Sequence, residues 1–238
     1  LLSVLRGHRM KALLRRALDE SEFLSDHGVR ALSRFHRDHP FVFNHNGNSF
    51  CVKYLPAESD TRVFGGNSNW RGPVWMPVNY LLIESLYEFH RYYGDEFRVE
   101  YPTGSGQKFS LSEIADELAR RATTLFLKNG DGERPVMGAY PLLQADPRSR
   151  DLILFHEYFH GDNGRGVGAS HQTGWSGLVA LLLQPRAMAA SGNVPLAGEP
   201  ERAPIPTAPT PAMPEPEPER EPVLASASAP VWRARLRT

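Results

Sequence analysis

The sequence has little of three things that would place a protein in a specialised class: cysteine, excess charge and long apolar runs. Cys51 is the one cysteine among 238 residues, which excludes an internal disulfide framework and fits a reducing compartment, so we expect the cytoplasm. The 27 basic residues balance the 27 acidic ones, so the charge gives no reason to expect a nucleic acid partner. No apolar run approaches the ~20 residues that span a bilayer, so we expect no membrane partner.

The first twenty residues also lack an initiator methionine and the uninterrupted apolar stretch of a signal peptide. Arginines and a lysine separate the leucines, which is typical of an amphipathic helix and not of a targeting segment. We therefore expect a helix here and a natural N-terminus that lies further upstream. The side chains expected to be buried on this helix are Val4, Leu5, Leu13, Leu14 and Ala17.

The composition changes after residue 184. Residues 185–238 contain twelve of the twenty prolines, and proline can neither continue a helix nor donate to a sheet. Few large apolar side chains accompany them, so burial cannot offset the entropy of ordering. We expect a folded domain at 1–184 and a disordered proline-rich tail at 185–238, with a docking segment for a polyproline-binding domain as the alternative reading of the tail.

The expected fold class of residues 1–184 is all-α, with loops rich in glycine and aromatic residues. Apolar residues recur at three- and four-residue steps, and few stretches alternate as strands do. Residues 152–155 could belong to either state. The predicted helices cover about 3–20, about 28–36, the stretch after Pro77, the stretch opened by a capping box at Ser110 and Glu113, and 173–183.

The segment HEYFH at residues 156–160 matches the H-E-x-x-H signature of zinc metalloproteases. That signature requires a helix that presents both histidines to one ion, and a third ligand from elsewhere. Four glycines fall within the next eight residues, and each costs a helix about 1 kcal/mol relative to alanine. Zinc protease is therefore a distant alternative, and we expect neither a metal nor a cofactor.

Three features favour a sugar-binding pocket instead. Trp70 and Trp75 flank an arginine–glycine–proline turn, and indole faces stack on sugar rings while Arg71 can donate to hydroxyl groups. Glu157 lies among aromatic residues, a setting in which a carboxyl group can act as general acid or base. Gln172 could bind a hydroxyl group. Each has a plainer alternative: a tryptophan plug in the core, an ordinary surface glutamate, and a helix cap.

Two stretches carry a resemblance to a known family. FGGNSNWRGPVWMPVNYLLIESL and EYFHGDNGRGVGASHQTGWSGLVALL resemble the C-terminal part of glycoside hydrolase family 63. The similarity is to the branch of bacterial α-glucosidases and hydrolases of the mannosylglycerate or glucosylglycerate type, and it covers about residues 20–183. It implies the C-terminal portion of an (α/α)6 barrel, which has six inner and six outer helices around a pocket.

The resemblance also implies inverting hydrolysis of α-glycosidic bonds, in which one carboxyl group protonates the leaving oxygen and a second activates a water molecule. The two carboxyl groups are about 6.5–9.5 Å apart, which leaves room for that water. It makes Glu157 the general base and Trp70, Arg71, Trp75 and Gln172 the contacts to a small carbohydrate substrate. The family's general acid is an upstream aspartate. Neither Asp19 nor Asp60 lies in a motif that matches it.

We therefore expect a C-terminal fragment that lacks the N-terminal half of the barrel and is inactive or nearly so by itself. Uncovered apolar helix faces would accompany such a fragment. The rival hypothesis is a non-catalytic carbohydrate-binding or scaffold remnant of the enzyme, which retains the aromatic pocket without hydrolysis.

Overall fold

The computed structural model describes residues 5–62, 68–138 and 140–184, which belong to one compact unit, Leu1–Ala190. The disordered tail predicted at 185–238 lies outside the described residues, as does Val4. No helix within the described ranges is both long enough and apolar enough to cross a membrane.

Helices make up most of the core. Two single 3₁₀ turns, Arg34–Arg37 and Pro135–Met137, lie between them. The α-helices are α1 Gly7–Ala17, α2 Met76–Tyr93, α3 Leu111–Thr124, α4 Pro141–Ala145, α5 Thr173–Ser176 and α6 Val179–Leu182.

Helix α3 begins at the predicted capping box. The Ser110 hydroxyl accepts from the Glu113 backbone N–H at 3.3 Å, and the Glu113 carboxylate accepts from the Ser110 N–H at 2.7 Å. Together these bonds satisfy two backbone donors that a helix N-terminus leaves without partners. The face predicted from the sequence, which includes Ile114 and Leu118, is buried.

Three predicted helices differ from the observed elements. The first is shorter than predicted, and Leu13 is 60% exposed on it while Leu14 is buried. A helix over 28–36 is wrong, because Gly28 has φ +125° and pairs as a strand. The predicted final helix is two short ones, α5 and α6, with Gly177 at the end of the first.

Helices α1, α2 and α3 pack around one apolar cluster, and α3 also contributes to a second. The first cluster includes Leu18, Ile83 and Ile114, all with no exposed surface. The second includes Val74, Met76 and Phe159, also with none, and so joins the start of α2 to the chain segment after residue 155. This second cluster supports the candidate site.

The described residues also form four small antiparallel sheets of two strands each, which the helical periodicity did not predict. Three of these sheets contribute to the two apolar clusters, through Leu24, Val99 and Phe159. Isolated bridges pair Val74 with both Arg30 and Phe159. An (α/α)6 barrel has twelve helices, twice the six α-helices of the described residues, so the barrel stays a prediction. The strand pairs are β1 Leu24–Ser25 with β2 Gly28–Val29, β3 Phe41–His45 with β4 Asn48–Val52, β5 Arg98–Glu100 with β6 Lys108–Ser110, and β7 Tyr158–Phe159 with β8 Gly166–Val167.

Candidate active site

Glu157 precedes a short hairpin and is not on a helix. Its backbone N–H donates to the Ala169 carbonyl at 2.9 Å, and the next two residues form β7, paired with β8. None of residues 156–160 is helical, and Tyr158 and Phe159 are strand residues. The one-turn spacing that a zinc-binding H-E-x-x-H helix needs does not exist here, and the hairpin accounts for the glycines that follow.

Two groups hold the Glu157 carboxylate. The Ser68 hydroxyl donates to Oε1, and the Ala169 N–H approaches Oε2 at 3.5 Å. Gly168, directly before Ala169, has φ +71°, and a Cβ added there would stand 2.8 Å from Oε2. A glycine is therefore required at 168, both for its backbone conformation and for the space that the carboxylate occupies.

An aromatic stack connects the two motifs. Trp70 lies parallel to Trp75 with ring centroids 3.7 Å apart, and Tyr158 stacks on Trp75 at 4.8 Å. Trp175 meets Trp75 edge-on at 6.2 Å. Trp75 is buried and its indole N–H donates to the Asn69 carbonyl, whereas Trp70 is 42% exposed. Trp70 thus has a face available to a ligand, and Trp75 supports it from beneath.

Arg71 is buried, with 1% of its surface exposed. Its guanidinium donates to the hydroxyl groups of Ser59 and, at 3.0 Å, Thr61, and lies 3.4 Å from an Asp60 carboxylate oxygen. The buried Nε has no acceptor within the described segments. These bonds order the loop 53–62 against the tryptophan motif, so a direct contact from Arg71 to substrate remains a prediction.

Gln172 lies at the N-cap of α5 and is exposed. Its carbonyl accepts from the N–H groups of Trp175 and Ser176, while its side chain makes no cap bond. The backbone carbonyl of Gln172 therefore caps the helix, and the exposed side-chain amide takes no part in capping. Its sugar contact also stays a prediction.

An ionic cluster at Asp162 was not predicted from the sequence. Asp162 accepts from Tyr54 at 2.8 Å and from Arg37 at 2.8 Å, and it lies 3.3 Å from the buried Arg30. Burial alone would raise the pKa of Asp162, but the Tyr54 hydrogen bond and the two arginines outweigh burial and lower it. Arg30 also donates to the Gly161 carbonyl, so the cluster fixes the β7–β8 turn. No local pattern could reveal this cluster, because Asp162 is more than 100 residues from Arg30, Arg37 and Tyr54 in the chain.

The two aspartates considered from the sequence, Asp19 and Asp60, are poor candidates for a general acid. A hydrogen bond from Lys53, with smaller contributions from the charges of Lys53 and Arg71, lowers the pKa of Asp60 and keeps it ionised at neutral pH. Asp19 lies after α1 and accepts from the backbone and hydroxyl of Ser21. An ionised Asp60 has no proton to give to a leaving group.

A mainly apolar cavity of about 320 Å³ is lined in part by Gly168. His156 faces it, and burial lowers the pKa of its imidazole. The rest of the wall includes Met137, Tyr140 and Leu152. Gly168 lines the cavity, and a Cβ added at Gly168 would stand 2.8 Å from Oε2 of Glu157, so the cavity lies next to the candidate base.

Comparison with known proteins identifies a family. Residues 1–176 match the model of the mannosylglycerate hydrolase MGH1-like glycoside hydrolase domain. The chain is 52% identical over 182 residues to Uncharacterized protein YMR196W of Saccharomyces cerevisiae, which covers 76% of this chain and 17% of that protein.

Two more distant relatives have functional names. One is a probable mannosyl-oligosaccharide glucosidase of Schizosaccharomyces pombe, 24% identical over 74% of this chain and 15% of its own length. The other is the mannosyl-oligosaccharide glucosidase of Saccharomyces cerevisiae, 26% identical over 50% of this chain and 11% of its own length. This chain therefore spans less than a fifth of each of these relatives. The family match confirms the resemblance read from the two motifs. The chain belongs to the MGH1-like glycoside hydrolase domain family, which is related to glycoside hydrolase family 63.

Proposed function

We propose that this chain is the C-terminal portion of an inverting α-glycoside hydrolase whose general base is Glu157. The observation that carries the proposal is the position of the Glu157 carboxylate, held by Ser68 beside the Trp70–Trp75–Tyr158 stack. A carboxylate oriented by a hydrogen bond, next to an exposed indole face, has what is needed to activate water against a stacked sugar.

Each predicted residue then has a separate role. Trp70 stacks on the sugar with its exposed face, and Trp75 holds Trp70 in place. Gln172 donates to a hydroxyl group through its exposed amide. Arg71 shapes the loop that borders the site, and its Nε is the donor left for a ligand or a neighbouring segment.

The general acid comes from outside this chain in the proposed enzyme. Asp60 is held ionised and Asp19 lies elsewhere in the fold, so neither supplies the proton. Two observations support a longer (α/α)6 barrel: the chain covers only 17% of a relative that is 52% identical, and α2 exposes Val78 and Leu81. An apolar helix face of this kind is expected where another helix would pack.

The substrate class is a small α-glucoside or a glycosylglycerate. The family model carries the name of a mannosylglycerate hydrolase, and the more distant relatives carry the names of glucosidases. The aromatic stack accommodates a pyranose ring of either kind.

The decisive experiment is hydrolysis by the full-length protein of a panel of α-glucosides, glucosylglycerate and mannosylglycerate. Wild type is compared with Glu157→Gln and with the control Glu96→Gln, an exposed glutamate in the turn after α2. We expect loss of nearly all turnover in Glu157→Gln alone, and an inverted anomer by proton NMR in the wild type.

Retained turnover in a folded Glu157→Gln variant would remove Glu157 as the base. A retained anomeric configuration would remove the inverting mechanism. Sugar binding without hydrolysis by the wild type would support the rival hypothesis of a carbohydrate-binding remnant.

A further inference from the structure

The hairpin β3–β4 carries an apolar surface that the described part of the chain does not cover. Nine of its ten strand residues are exposed, and the tenth, Val52, is half-buried. The register pairs Phe41 with Val52 and Phe43 with Phe50. Residues directly opposite each other in an antiparallel pair share a face, and neighbours along a strand alternate.

The two faces of the hairpin consequently differ in chemistry. The aromatic face carries Phe41, Val52, Phe43 and Phe50, with His45 and Asn48 at the tip. The opposite face carries Val42, Cys51, Asn44 and Ser49. The three phenylalanine side chains are 58%, 52% and 43% exposed, in the order Phe41, Phe43, Phe50.

An isolated two-stranded hairpin is only marginally stable in water, so we expect another layer to cover this one. Three phenylalanines on one face also exceed the scattered single apolar residues of an ordinary surface. Contiguous exposed apolar area of this kind marks an interaction surface. The aromatic face therefore requires an occupant.

The composition of the aromatic face favours protein over carbohydrate. A sugar needs hydrogen-bonding groups for its hydroxyls beside the stacking ring, and here the polar side chains, His45 and Asn48, are confined to the tip. Phenylalanine and valine in a row match the apolar side chains of another polypeptide segment.

The length of the relatives indicates which polypeptide covers the aromatic face. The 52% identical yeast protein continues far beyond the matched segment, which is 17% of it. A covering segment within the same molecule needs no second copy and avoids the entropic cost of association.

We propose that the aromatic face of β3–β4 is the docking site for an apolar segment of the longer polypeptide outside residues 1–238. This inference rests on the part of the proposed function that places the chain in a longer enzyme, but not on hydrolysis itself. The hairpin then joins this portion to the rest of the molecule.

The test is photo-crosslinking in the full-length protein, with a readout independent of turnover. p-Benzoylphenylalanine replaces Phe43 or Phe50 on the aromatic face, and Asn44 or Ser49 on the opposite face as matched controls. Equal amounts of ¹⁵N-labelled and unlabelled protein are mixed before irradiation, and crosslinked peptides are mapped by mass spectrometry. Circular dichroism checks that each variant is folded.

We expect several-fold more crosslinks from 43 and 50 than from 44 and 49, joined to peptides outside residues 1–238 and of one isotope only. Mixed-isotope crosslinks would show a second copy as the occupant and overturn the proposal. Crosslinks to residues 1–238, or equal yields from both faces, would overturn it too.

If a bulky benzophenone prevents folding, thiol reactivity supplies the same comparison. In a Cys51→Ser background, Phe43→Cys should react with maleimide several-fold more slowly than Asn44→Cys in the full-length protein, measured on the individual peptides. Equal reaction rates would contradict the proposal. Because neither readout involves substrate, an inactive enzyme with a protected aromatic face would refute only the proposed hydrolysis.

Discussion

The Ser68 hydroxyl donates a hydrogen bond to Oε1 of Glu157, across 89 positions of sequence. Ser68 directly precedes the Asn69–Trp70 pair, so the bond also ties the candidate base to the tryptophan motif. The orientation of the carboxylate is therefore set by a residue of the other motif and not by its own hairpin alone.

Ser68→Ala in the full-length protein should lower kcat and leave KM nearly unchanged, because the hydroxyl positions the base without contacting substrate. A hydrogen bond to a charged group contributes about 1.5 kcal/mol, which corresponds to about tenfold in rate. Ser68→Thr, which keeps the hydroxyl, should recover most of the loss. Steady-state kinetics of both variants, beside Ser85→Ala on the exposed face of α2, make the comparison. An unchanged kcat in Ser68→Ala would remove this role.

Gly168→Ala should abolish turnover, because its Cβ would meet the Glu157 carboxylate at 2.8 Å. The left-handed backbone adds a strain of about 1–2 kcal/mol for a non-glycine residue. Gly106→Ala is the matched control, since Gly106 has φ +75° and nothing within 4 Å of an added Cβ. Both variants should lose unfolding free energy in urea through backbone strain, and Gly168→Ala should lose more, because its Cβ would also meet the Tyr158 ring at 2.8 Å. Gly168→Ala alone should lose activity. Equal activity in the two would show that the carboxylate tolerates displacement.

Trp75→Leu and Trp70→Ala should separate support from substrate contact. Trp75 is buried between two rings, so its truncation should cost about 3 kcal/mol of unfolding free energy. Trp70 is 42% exposed, and its loss should cost much less stability while raising KM for the sugar. Urea denaturation and steady-state kinetics measure the two effects. Similar KM values for Trp70→Ala and wild type would exclude stacking on substrate.

Asp162→Asn should destabilise the turn that follows Glu157, because it removes the charge that faces the buried Arg30. Asp162 is partly exposed, with 31% of its side chain accessible, so we expect a cost of about 1–2 kcal/mol, below that of a fully buried pair. Asp26→Asn is the control, because Asp26 lies 4.0 Å from Arg121 and is 86% exposed.

The same variant should change the dependence of stability on pH. The pKa of Asp162 is lower in the folded protein than the usual value of about 3.9 in an unfolded chain. Its contribution is therefore complete above that value and is lost as the pH falls through the folded-state pKa. Below about pH 5 the wild type should lose unfolding free energy faster than Asp162→Asn. Parallel curves of unfolding free energy against pH would contradict the ionic role.

Local signals predicted the elements that local chemistry controls. The capping box at Ser110 and Glu113 starts α3, and the apolar spacing after Pro77 marks α2, because both depend on residues within one or two turns. The helix predicted over 28–36 was wrong, because Gly28 adopts a positive φ and pairs with Ser25. Short strands of two or three residues carry too little alternation to be recognised in a helical background.

The sequence by itself determined the family, through two motifs long enough to be specific, and it named Glu157 together with the tryptophans. What holds Glu157 in place was decided by the tertiary structure alone. Ser68 and Gly168 approach the carboxylate, and Arg30 and Tyr54 converge on Asp162, only because the second apolar cluster brings the start of α2 against β7. The same holds for the aromatic face of β3–β4, since exposure is a property of the packed chain and cannot be read from the order of its residues.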